Sequence, residues 1–256
     1  MSAAAASATP LRAVSGHAPV DLDRAWRDED ALAALNQWLE GLDADARLHW
    51  ALTQVPGVAT LSTSFGAQSA ALLHLATRHV PQLPVVLVDT GYLFPETYRF
   101  ADELRARLDL NLHVSAAPES AAWFEARHGR LWEQGLEGIE RYNQLRKVEP
   151  MQRALQALGT RLWIAGLRRD QSRSRRERQV LERAGERWKL HPILDWRDRD
   201  IGRYLATHGL PYHPLWEQGY VSIGDVHTTR PLGEDLDAEA TRFFGLKREC
   251  GLHEGS

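Results

Sequence analysis

Between positions 58 and 75 the chain reads Val58-Ala-Thr-Leu-Ser-Thr-Ser-Phe-Gly-Ala-Gln-Ser69 and then Ala70-Ala-Leu-Leu-His-Leu75, and this stretch decides the fold. Its first residues, Val58 to Leu61, predict a short strand, Gly66 predicts a turn, and the leucines that follow have the spacing of a helix. A strand, a loop of small hydroxyl residues and a helix form the layout of a phosphate-binding cradle.

The loop in this stretch has the chemistry of an anion site. Backbone N–H groups at the first turn of a helix donate to an anion and add the positive end of the helix dipole. Gly66 lets the backbone approach closely, and hydroxyl donors are supplied by Ser62, Thr63, Ser64 and Ser69. No lysine precedes Ser69, so the loop departs from the Walker A pattern and a P-loop ATPase is disfavoured. An ordinary serine-rich connection is the alternative interpretation.

Length and composition predict one α/β domain without a general affinity for nucleic acid or membranes. The chain has 256 residues, enough for one sizeable core, and its net charge is −3. Nucleic-acid-binding proteins usually carry a positive excess, and there is no run of roughly eighteen apolar residues to span a membrane. Residues 1–25 are predicted to be a disordered lead, because Met1 to Pro19 is rich in Ala and Ser and lacks the features of a secretory signal.

The cysteine content bounds the redox chemistry. Cys250 is the one cysteine of the chain, which excludes intrachain disulfides and fits a reducing cytoplasm. It also excludes a metal or iron–sulfur site built from the cysteines of one chain. The sequence therefore predicts a cytoplasmic protein without a bound metal or iron–sulfur cluster.

Apolar strands alternate with helical segments along residues 26–233. Pro84 to Asp89 is a continuous apolar run of the kind found in buried parallel strands. The other predicted elements are strands at Leu110–Val114, Arg161–Gly166 and Trp188–Leu194 and helical segments at Asp30–Val55, Glu96–Leu108, Glu119–Leu158 and around Ile201–Leu205. This alternation predicts an α/β fold, a parallel twisted sheet with helices on both faces.

Three loops are expected to meet, because ligands of such sheets bind outside the carboxyl ends of the strands. They are Ser62–Ser69, Asp89–Phe94 and the segment from Gly166 onward. Asp89 could accept a hydrogen bond from a ribose hydroxyl or order a metal-bound phosphate. An Asp at a strand end is also a common turn-former, and both interpretations are open.

An arginine-rich segment follows the fourth predicted strand, with six arginines among the eleven residues from Arg168 to Arg178. A run of charges is usually a solvated face, which is the preferred interpretation for Arg176 and Arg178. Arg168 and Arg169 directly follow the strand end, and the arginine fork matches phosphate or sulfate oxygens. These two are predicted to bind the anionic part of a substrate.

The last segment, residues 234–256, is predicted to be a mobile catalytic tail. An acidic stretch from Glu234 to Glu239 predicts the start of a short helix that includes Arg242. The neighbours of Cys250 that favour its thiolate are Lys247, Arg248 and His253. Buried cysteines normally lie among aliphatic residues, so a reactive thiol is preferred to a core cysteine.

Five segments resemble motifs of the assimilatory phosphoadenylyl-sulfate (PAPS) reductases. They are Ser64-Phe-Gly-Ala-Gln-Ser69, Asp89-Thr-Gly-Tyr-Leu-Phe-Pro-Glu-Thr97, Lys147-Val-Glu-Pro150, Gly166-Leu-Arg-Arg-Asp-Gln-Ser172 and Lys247-Arg-Glu-Cys-Gly-Leu-His253. The resemblance covers roughly Leu32 to Gly255, and the closing motif is highly specific. It implies a fold of the adenine nucleotide α-hydrolase type and a homodimer. It also implies reduction of PAPS to sulfite and adenosine 3',5'-bisphosphate in sulfate assimilation, with thioredoxin or glutaredoxin as electron donor.

The residues and the resemblance together give the predicted site. Cys250 and His253 are predicted to be catalytic. The predicted substrate-binding residues are Ser62, Ser64, Gly66, Gln68, Ser69, Asp89, Thr90, Gly91, Lys147, Arg168, Arg169, Arg242, Lys247 and Arg248.

A related group, the adenylyl-sulfate (APS) reductases, shares most of these motifs but binds a four-iron cluster through a Cys-Cys pair and a Cys-x-x-Cys pair. By the resemblance, the first pair falls at Tyr142 and Asn143 and the second at Asp225 and Thr228. None of these positions is a cysteine, so the chain is similar to the cluster-free branch that uses PAPS.

The predicted mechanism follows from charge. The sulfur of a phosphosulfate is electrophilic but surrounded by negative oxygens, so a thiolate reaches it only where cations offset the repulsion. Cys250 is expected to attack this sulfur and to hold an S-sulfocysteine, and an external dithiol then releases sulfite because the chain has no second cysteine.

Two other functions fit the same fold. An ATP pyrophosphatase-type ligase or adenylyltransferase would not need Cys250, and sulfite release without ATP distinguishes it from a reductase. In a nucleotide-binding or sensor domain without activity, a thiol-blocking reagent would have no effect.

Overall fold

The computed structural model describes Ala18, residues 20–233, Thr241 and Phe243. Most of the predicted tail, residues 234–256, and the lead up to His17 therefore lie outside the described residues. The predicted site residues outside them are Arg242, Lys247, Arg248, Cys250 and His253. Among the helices that the structure describes, none has the length and apolar character needed to cross a membrane.

A six-stranded sheet forms the centre of the described part, with the strand order β3-β2-β1-β4-β6-β5. The strands are β1 Val58–Thr63, β2 Pro84–Asp89, β3 Asn111–Ala116, β4 Thr160–Ala165, β5 Leu181–Ala184 and β6 Arg187–Leu190. All neighbouring strands are parallel except β5 and β6, which are antiparallel. The predicted α/β fold with a mostly parallel sheet is confirmed.

Nine α-helices in the described residues connect and cover these strands. They are α1 Leu22–Arg27, α2 Glu29–Glu40, α3 Ala44–Gln54, α4 Ala70–His79, α5 Pro95–Leu108, α6 Ala121–His128, α7 Gly135–Asn143, α8 Glu149–Ala157 and α9 Asp198–Thr207. Aspartates at the starts of α2 and α3 accept hydrogen bonds from the first-turn N–H groups. The leucine spacing of the sequence corresponds to the buried face of α2, where Leu35 and Leu39 enter the main core.

The edge of the sheet differs from the prediction. A single fifth strand was expected at Trp188–Leu194, but the chain forms a hairpin of β5 and β6 that turns at Gly185, whose φ is +60°. β5 has the sequence Leu-Glu-Arg-Ala, and its charges suit an edge strand, where they hinder pairing with other chains. The sequence did not predict β5, because its charged residues continue the arginine-rich segment and do not form an apolar run.

The N-terminal boundary also differs. Helix α1 begins inside the predicted lead of residues 1–25, and Asp21 caps it by accepting a hydrogen bond from the Arg24 N–H at 2.7 Å. Ala25 is fully buried in the main core. The boundary drawn at residue 25 therefore falls within a packed helix.

His213 is fully buried and holds the loop after α9 against α5. Its Nδ1 accepts a hydrogen bond from the Leu215 N–H at 3.1 Å, so Nε2 carries the proton and donates to Thr97 Oγ1, also at 3.1 Å. Burial lowers the pKa of His213 to about 4. The imidazole is therefore neutral in the folded protein at neutral pH.

The free energy of unfolding should consequently fall as the pH drops from about 6.5 towards 4. An unfolded histidine takes up a proton below about pH 6.5, whereas folded His213 resists protonation down to about 4. Acid therefore favours the unfolded state by up to about 1.4 kcal/mol per pH unit through this group, which has no effect above about pH 6.5. Urea denaturation at several pH values should show a flatter dependence for His213→Gln. An equally steep dependence in that variant would contradict this assignment.

Candidate active site

A cavity of about 340 Å³ opens where strands β1, β2 and β4 end. It lies at the carboxyl ends of the parallel strands, which is where ligands of such sheets bind. One part of its wall is apolar and includes Leu72, Ile193 and Ile201, and other parts carry hydroxyl groups and cations. The three loops that were expected to meet do contribute to it.

The loop after β1 supplies the hydroxyl-rich side of the cavity. All five predicted residues of this loop line it: Ser62, Ser64, Gly66, Gln68 and Ser69. The Ser62 hydroxyl accepts a hydrogen bond from the Trp163 indole at 2.7 Å, whereas the Ser69 hydroxyl is buried and has no hydrogen-bond partner among the described residues. Ser69 precedes α4 without capping it, so its hydroxyl is available to a ligand.

Phe65 fixes the shape of this loop. Its ring is fully buried in the main core, while the residues on either side of it line the cavity. Its φ is +47°, a left-handed conformation that is costly for a residue with a side chain. The buried ring and the hydrogen bond from its N–H to Thr63 Oγ1 at 3.0 Å hold this conformation.

The loop after β2 contributes less than the sequence predicted. Thr90 lines the cavity, but Asp89 and Gly91 are not part of its lining in the described residues. The Asp89 carboxylate accepts hydrogen bonds from the Gly91 N–H at 2.8 Å and the Tyr98 hydroxyl at 2.6 Å. Asp89 therefore forms the turn and anchors α5 through Oδ1, and both Asp89 and Gly91 lie outside the cavity lining.

Lys147 reaches the cavity from a π-helical turn, Gln144–Val148, inserted between α7 and α8. Such insertions are frequent at functional sites because they redirect side chains. Here Arg146 and Lys147 are both buried, and Arg146 donates to the carbonyl oxygens of Thr90 at 3.0 Å and Glu119 at 2.8 Å. Within this turn, Arg146 therefore stabilises the loop after β2, and Lys147 places a cation at the cavity.

The Lys147 ammonium pairs with Asp225, with 2.6 Å between Nζ and Oδ2. The other oxygen of this carboxylate accepts a hydrogen bond from Thr90 Oγ1 at 2.5 Å. Burial opposes the ionisation of Asp225, but the Lys147 ammonium and the Thr90 hydroxyl outweigh it and hold the pKa of the carboxyl below its usual value. A buried ion pair therefore forms part of the cavity lining.

The two arginines predicted after β4 have different surroundings. Arg168 is buried and lines the cavity, where Nη2 donates to Gln68 Oε1 at 2.6 Å and pairs with Asp198 Oδ1 at 2.9 Å. Arg169 instead turns towards α2, pairing with Glu40 and donating to the carbonyl oxygen of Arg178. The structure brings Arg168 to the site and does not bring Arg169 there.

Sequence reasoning missed Arg175 and Asp198, which both line the cavity. Two short 3-10 turns, Arg169–Gln171 and Arg173–Arg175, fold the arginine-rich segment back towards the strand end. The arginine-rich segment was the available signal for Arg175. From the sequence, however, only its two arginines next to the strand end were assigned to substrate binding. Asp198 begins α9 and gives no local sequence signal, because its partner Arg168 is 30 positions away.

The four positions at which the resemblance places the iron ligands of APS reductases lie in the same region. Tyr142, Asn143, Asp225 and Thr228 are all buried, and the Lys147 ammonium that pairs with Asp225 lies 5.3 Å from the centre of the Tyr142 ring. Among the described residues, no group of three or more His, Cys, Asp or Glu side chains is arranged to hold a metal ion. The region is a buried polar cluster in this chain.

Comparison with known proteins points to one family. Residues 59–231 match the sequence model described as the phosphoadenosine phosphosulfate reductase domain. The phosphoadenosine 5'-phosphosulfate reductase of Alkalilimnicola ehrlichii is 62% identical over 223 residues, which cover 87% of this chain and 91% of that protein. The protein of the same name from Xylella fastidiosa strain M12 is 61% identical over 225 residues, covering 88% of this chain and 95% of that protein.

Solved structures agree with these sequence relatives. The crystal structure of phosphoadenylyl-sulfate (PAPS) reductase from Candida auris, in a phosphate complex, is similar with a TM-score of 0.69 and 29% identity, over 79% of this chain and 98% of that chain. FMN adenylyltransferase of Candida glabrata has a TM-score of 0.56 at 18% identity, over 82% of this chain and 70% of that chain. The second likeness concerns the fold alone.

Proposed function

The chain belongs to the phosphoadenosine phosphosulfate reductase family and has its activity, the reduction of PAPS to sulfite, and from this premise we propose that Cys250 carries the sulfonate and that thioredoxin or glutaredoxin supplies the electrons. The observation that supports substrate binding is the cavity at the strand ends, and the proposal for Cys250 rests on its being the one cysteine of the chain. The cavity combines an apolar wall, hydroxyl donors and buried cations in one place, which is the chemistry that an anionic nucleotide requires.

The adenine ring and the anionic groups of the substrate have suitable partners in the cavity. The apolar wall around Leu72 and Ile201 suits the adenine ring, and the hydroxyls of Ser64 and Ser69 suit phosphate or sulfate oxygens. The Lys147 cation offsets the negative charge that surrounds the electrophilic sulfur, and Arg168 is available to the phosphosulfate or to the 3'-phosphate. This assignment is a proposal for the described residues, and Arg242, Lys247 and Arg248 remain predicted contributors from the tail.

The proposed first step transfers a sulfonate group to the protein. The Cys250 thiolate attacks the sulfur of PAPS, a sulfur–sulfur bond forms, and the bond between that sulfur and the phosphate oxygen breaks. Adenosine 3',5'-bisphosphate leaves with the electron pair. His253 is predicted to assist as the second catalytic residue, because a nearby imidazole favours the thiolate.

The proposed second step regenerates the thiol. A thiolate of reduced thioredoxin or glutaredoxin attacks the Cys250 sulfur, and sulfite leaves with the electron pair of the sulfur–sulfur bond. The second thiol of the donor resolves the mixed disulfide, so the donor is oxidised by two electrons as the sulfonate is released as sulfite. An external donor is needed because the chain has one cysteine.

We further propose a homodimer in the cytoplasm, where single thiols remain reduced.

The activity can be tested against the adenylyltransferase alternative that shares this fold. Purified protein is given PAPS and reduced thioredoxin without ATP, and sulfite is measured. The proposal predicts sulfite formation that stops when the thiol is blocked beforehand. Sulfite formation that required ATP, or that continued after thiol blocking, would contradict it.

The purified protein should also be colourless and free of iron. A four-iron cluster needs about four thiolate-type ligands, and each chain supplies one cysteine. The visible absorption spectrum and a colorimetric iron determination check this expectation. Broad visible absorption together with stoichiometric iron would contradict it.

A further inference from the structure

Lys147 is a cation in a place that disfavours charge. It is 6% exposed, and its ammonium lies 5.3 Å from the centre of the Tyr142 ring and 5.0 Å from that of Phe243. Removal from water favours the neutral amine, and buried lysines can lose their proton near neutral pH. A neutral amine in the cavity lining would not attract an anionic substrate.

Asp225 counteracts this tendency from a fixed position. It is fully buried, and the adjacent backbone is held by an isolated β-bridge to Leu93 and by the Val226 N–H, which donates to the Tyr92 carbonyl at 2.9 Å. One carboxylate oxygen pairs with Lys147 and the other is held by Thr90. The carboxylate therefore cannot turn away from the ammonium without losing several contacts.

Among the described residues, neither Arg146, His227 nor Tyr142 replaces Asp225. Arg146 is a cation, and its guanidinium is bound to the carbonyl oxygens of Thr90 and Glu119. Burial lowers the pKa of His227 to about 4, and burial with the nearby Asp225 raises the pKa of Tyr142 well above its usual value. His227 and Tyr142 are thus neutral at physiological pH, and Asp225 is the anion paired with Lys147.

We propose that Asp225 is a positioning residue of the reaction, which keeps the Lys147 ammonium charged and directed at the cavity so that it can bind the anionic end of the substrate. The inference rests on the proposed function, because it takes Lys147 as a substrate-binding cation. The Lys147 ammonium lies 2.6 Å from Asp225 Oδ2, and both residues line the cavity. A charged, partly neutralised lysine attracts an anion, whereas an uncharged one does not.

The first test measures stability and needs no substrate. In Asp225→Asn the Lys147 ammonium is left buried without its carboxylate partner, and removal from water then favours the neutral amine. The folded variant then binds fewer protons than its unfolded chain as the solution becomes alkaline, so its free energy of unfolding rises with pH relative to the parent. The stability deficit of Asp225→Asn relative to the parent, from urea denaturation, should therefore shrink between about pH 7 and pH 9. A deficit that does not change with pH would overturn the inference.

The second test measures PAPS affinity by calorimetry in a Cys250→Ser background, where turnover is not expected. Asp225→Asn should weaken binding by roughly tenfold to a hundredfold, and increasingly so as the pH rises. Added to Lys147→Met, it should cause no further loss, because it acts through Lys147. Glu217→Gln removes one exposed carboxylate outside the cavity lining and should leave the affinity unchanged.

The outcomes separate the inference from the proposed function. If Lys147→Met binds PAPS as tightly as the parent, the role of Lys147 in substrate binding fails, whatever the stability test gives. If Lys147→Met weakens binding but Asp225→Asn does not, the role of Asp225 fails alone. If Asp225→Asn does not fold, the folding of the double variant Lys147→Met with Asp225→Asn tests the pairing instead. Its folding would support the pairing, and its failure to fold would overturn it.

Discussion

Replacing Cys250 by serine should abolish sulfite formation while PAPS still binds. The pKa of a cysteine thiol is about 8.5 and falls to roughly 3.5 to 7.5 beside cations. Lys247, Arg248 and His253 are close to Cys250 in sequence. A serine hydroxyl does not ionise near neutral pH, so the nucleophile is lost, and we expect turnover to fall by at least about three orders of magnitude.

PAPS affinity provides the control for this variant. The proposed contacts of the nucleotide come from the cavity at the strand ends, so Cys250→Ser should bind PAPS with an affinity within about threefold of the parent. Sulfite assays with reduced thioredoxin and calorimetric titration with PAPS give the two values. Turnover near the parent rate would show that the thiol is not the nucleophile, and a parallel loss of binding would show that the substitution disturbs the cavity.

Arg168→Ala should weaken PAPS binding, whereas Arg169→Ala should change it little. The two arginines are adjacent in sequence, but only the first lines the cavity, and the second pairs with Glu40 on α2. Loss of one charge-assisted contact costs about 1.5 to 3 kcal/mol, which corresponds to roughly one to two decades in affinity. The two substitutions remove the same charge from neighbouring positions, so each serves as the control for the other.

The same variants show which part of the substrate Arg168 binds. APS lacks the 3'-phosphate of PAPS, so a contact with that phosphate would make Arg168→Ala weaken PAPS far more than APS. Equal losses on both compounds would place Arg168 at the phosphosulfate. Similar losses for Arg168→Ala and Arg169→Ala on PAPS would contradict the assignment of the cavity.

The sequence predicted the central strands and the site loops because their signals are local. The apolar run Pro84–Asp89 corresponds to β2, and the hydroxyl-rich loop that follows β1 lines the cavity as expected. The family resemblance is likewise confirmed by relatives that are about 60% identical over most of the chain. Hydrophobic periodicity and short motifs are sufficient to predict an element whose structure depends mainly on residues of its own segment.

Where the structure places a residue differently from the sequence expectation, contacts between distant segments are the cause. Asp89 follows a strand, as nucleotide-binding aspartates do, but it lies outside the cavity lining, and its Oδ1 accepts hydrogen bonds from Gly91 and Tyr98. Arg168 and Arg169 have the same sequence context, and only the packing against α2 separates them. Asp225 pairs with a lysine 78 positions earlier in the chain, so no local pattern indicates its role.

The most direct test of the central claim is the mass of the protein after exposure to PAPS. The full chain is incubated with PAPS without any reductant, and intact mass and peptide mapping are recorded before and after addition of reduced thioredoxin. The account predicts one added sulfonate group on the peptide that contains Cys250, which disappears as an equal amount of sulfite is released. An unmodified Cys250 peptide before thioredoxin, followed by sulfite formation once thioredoxin is added, would show that the donor attacks PAPS directly and would contradict the account.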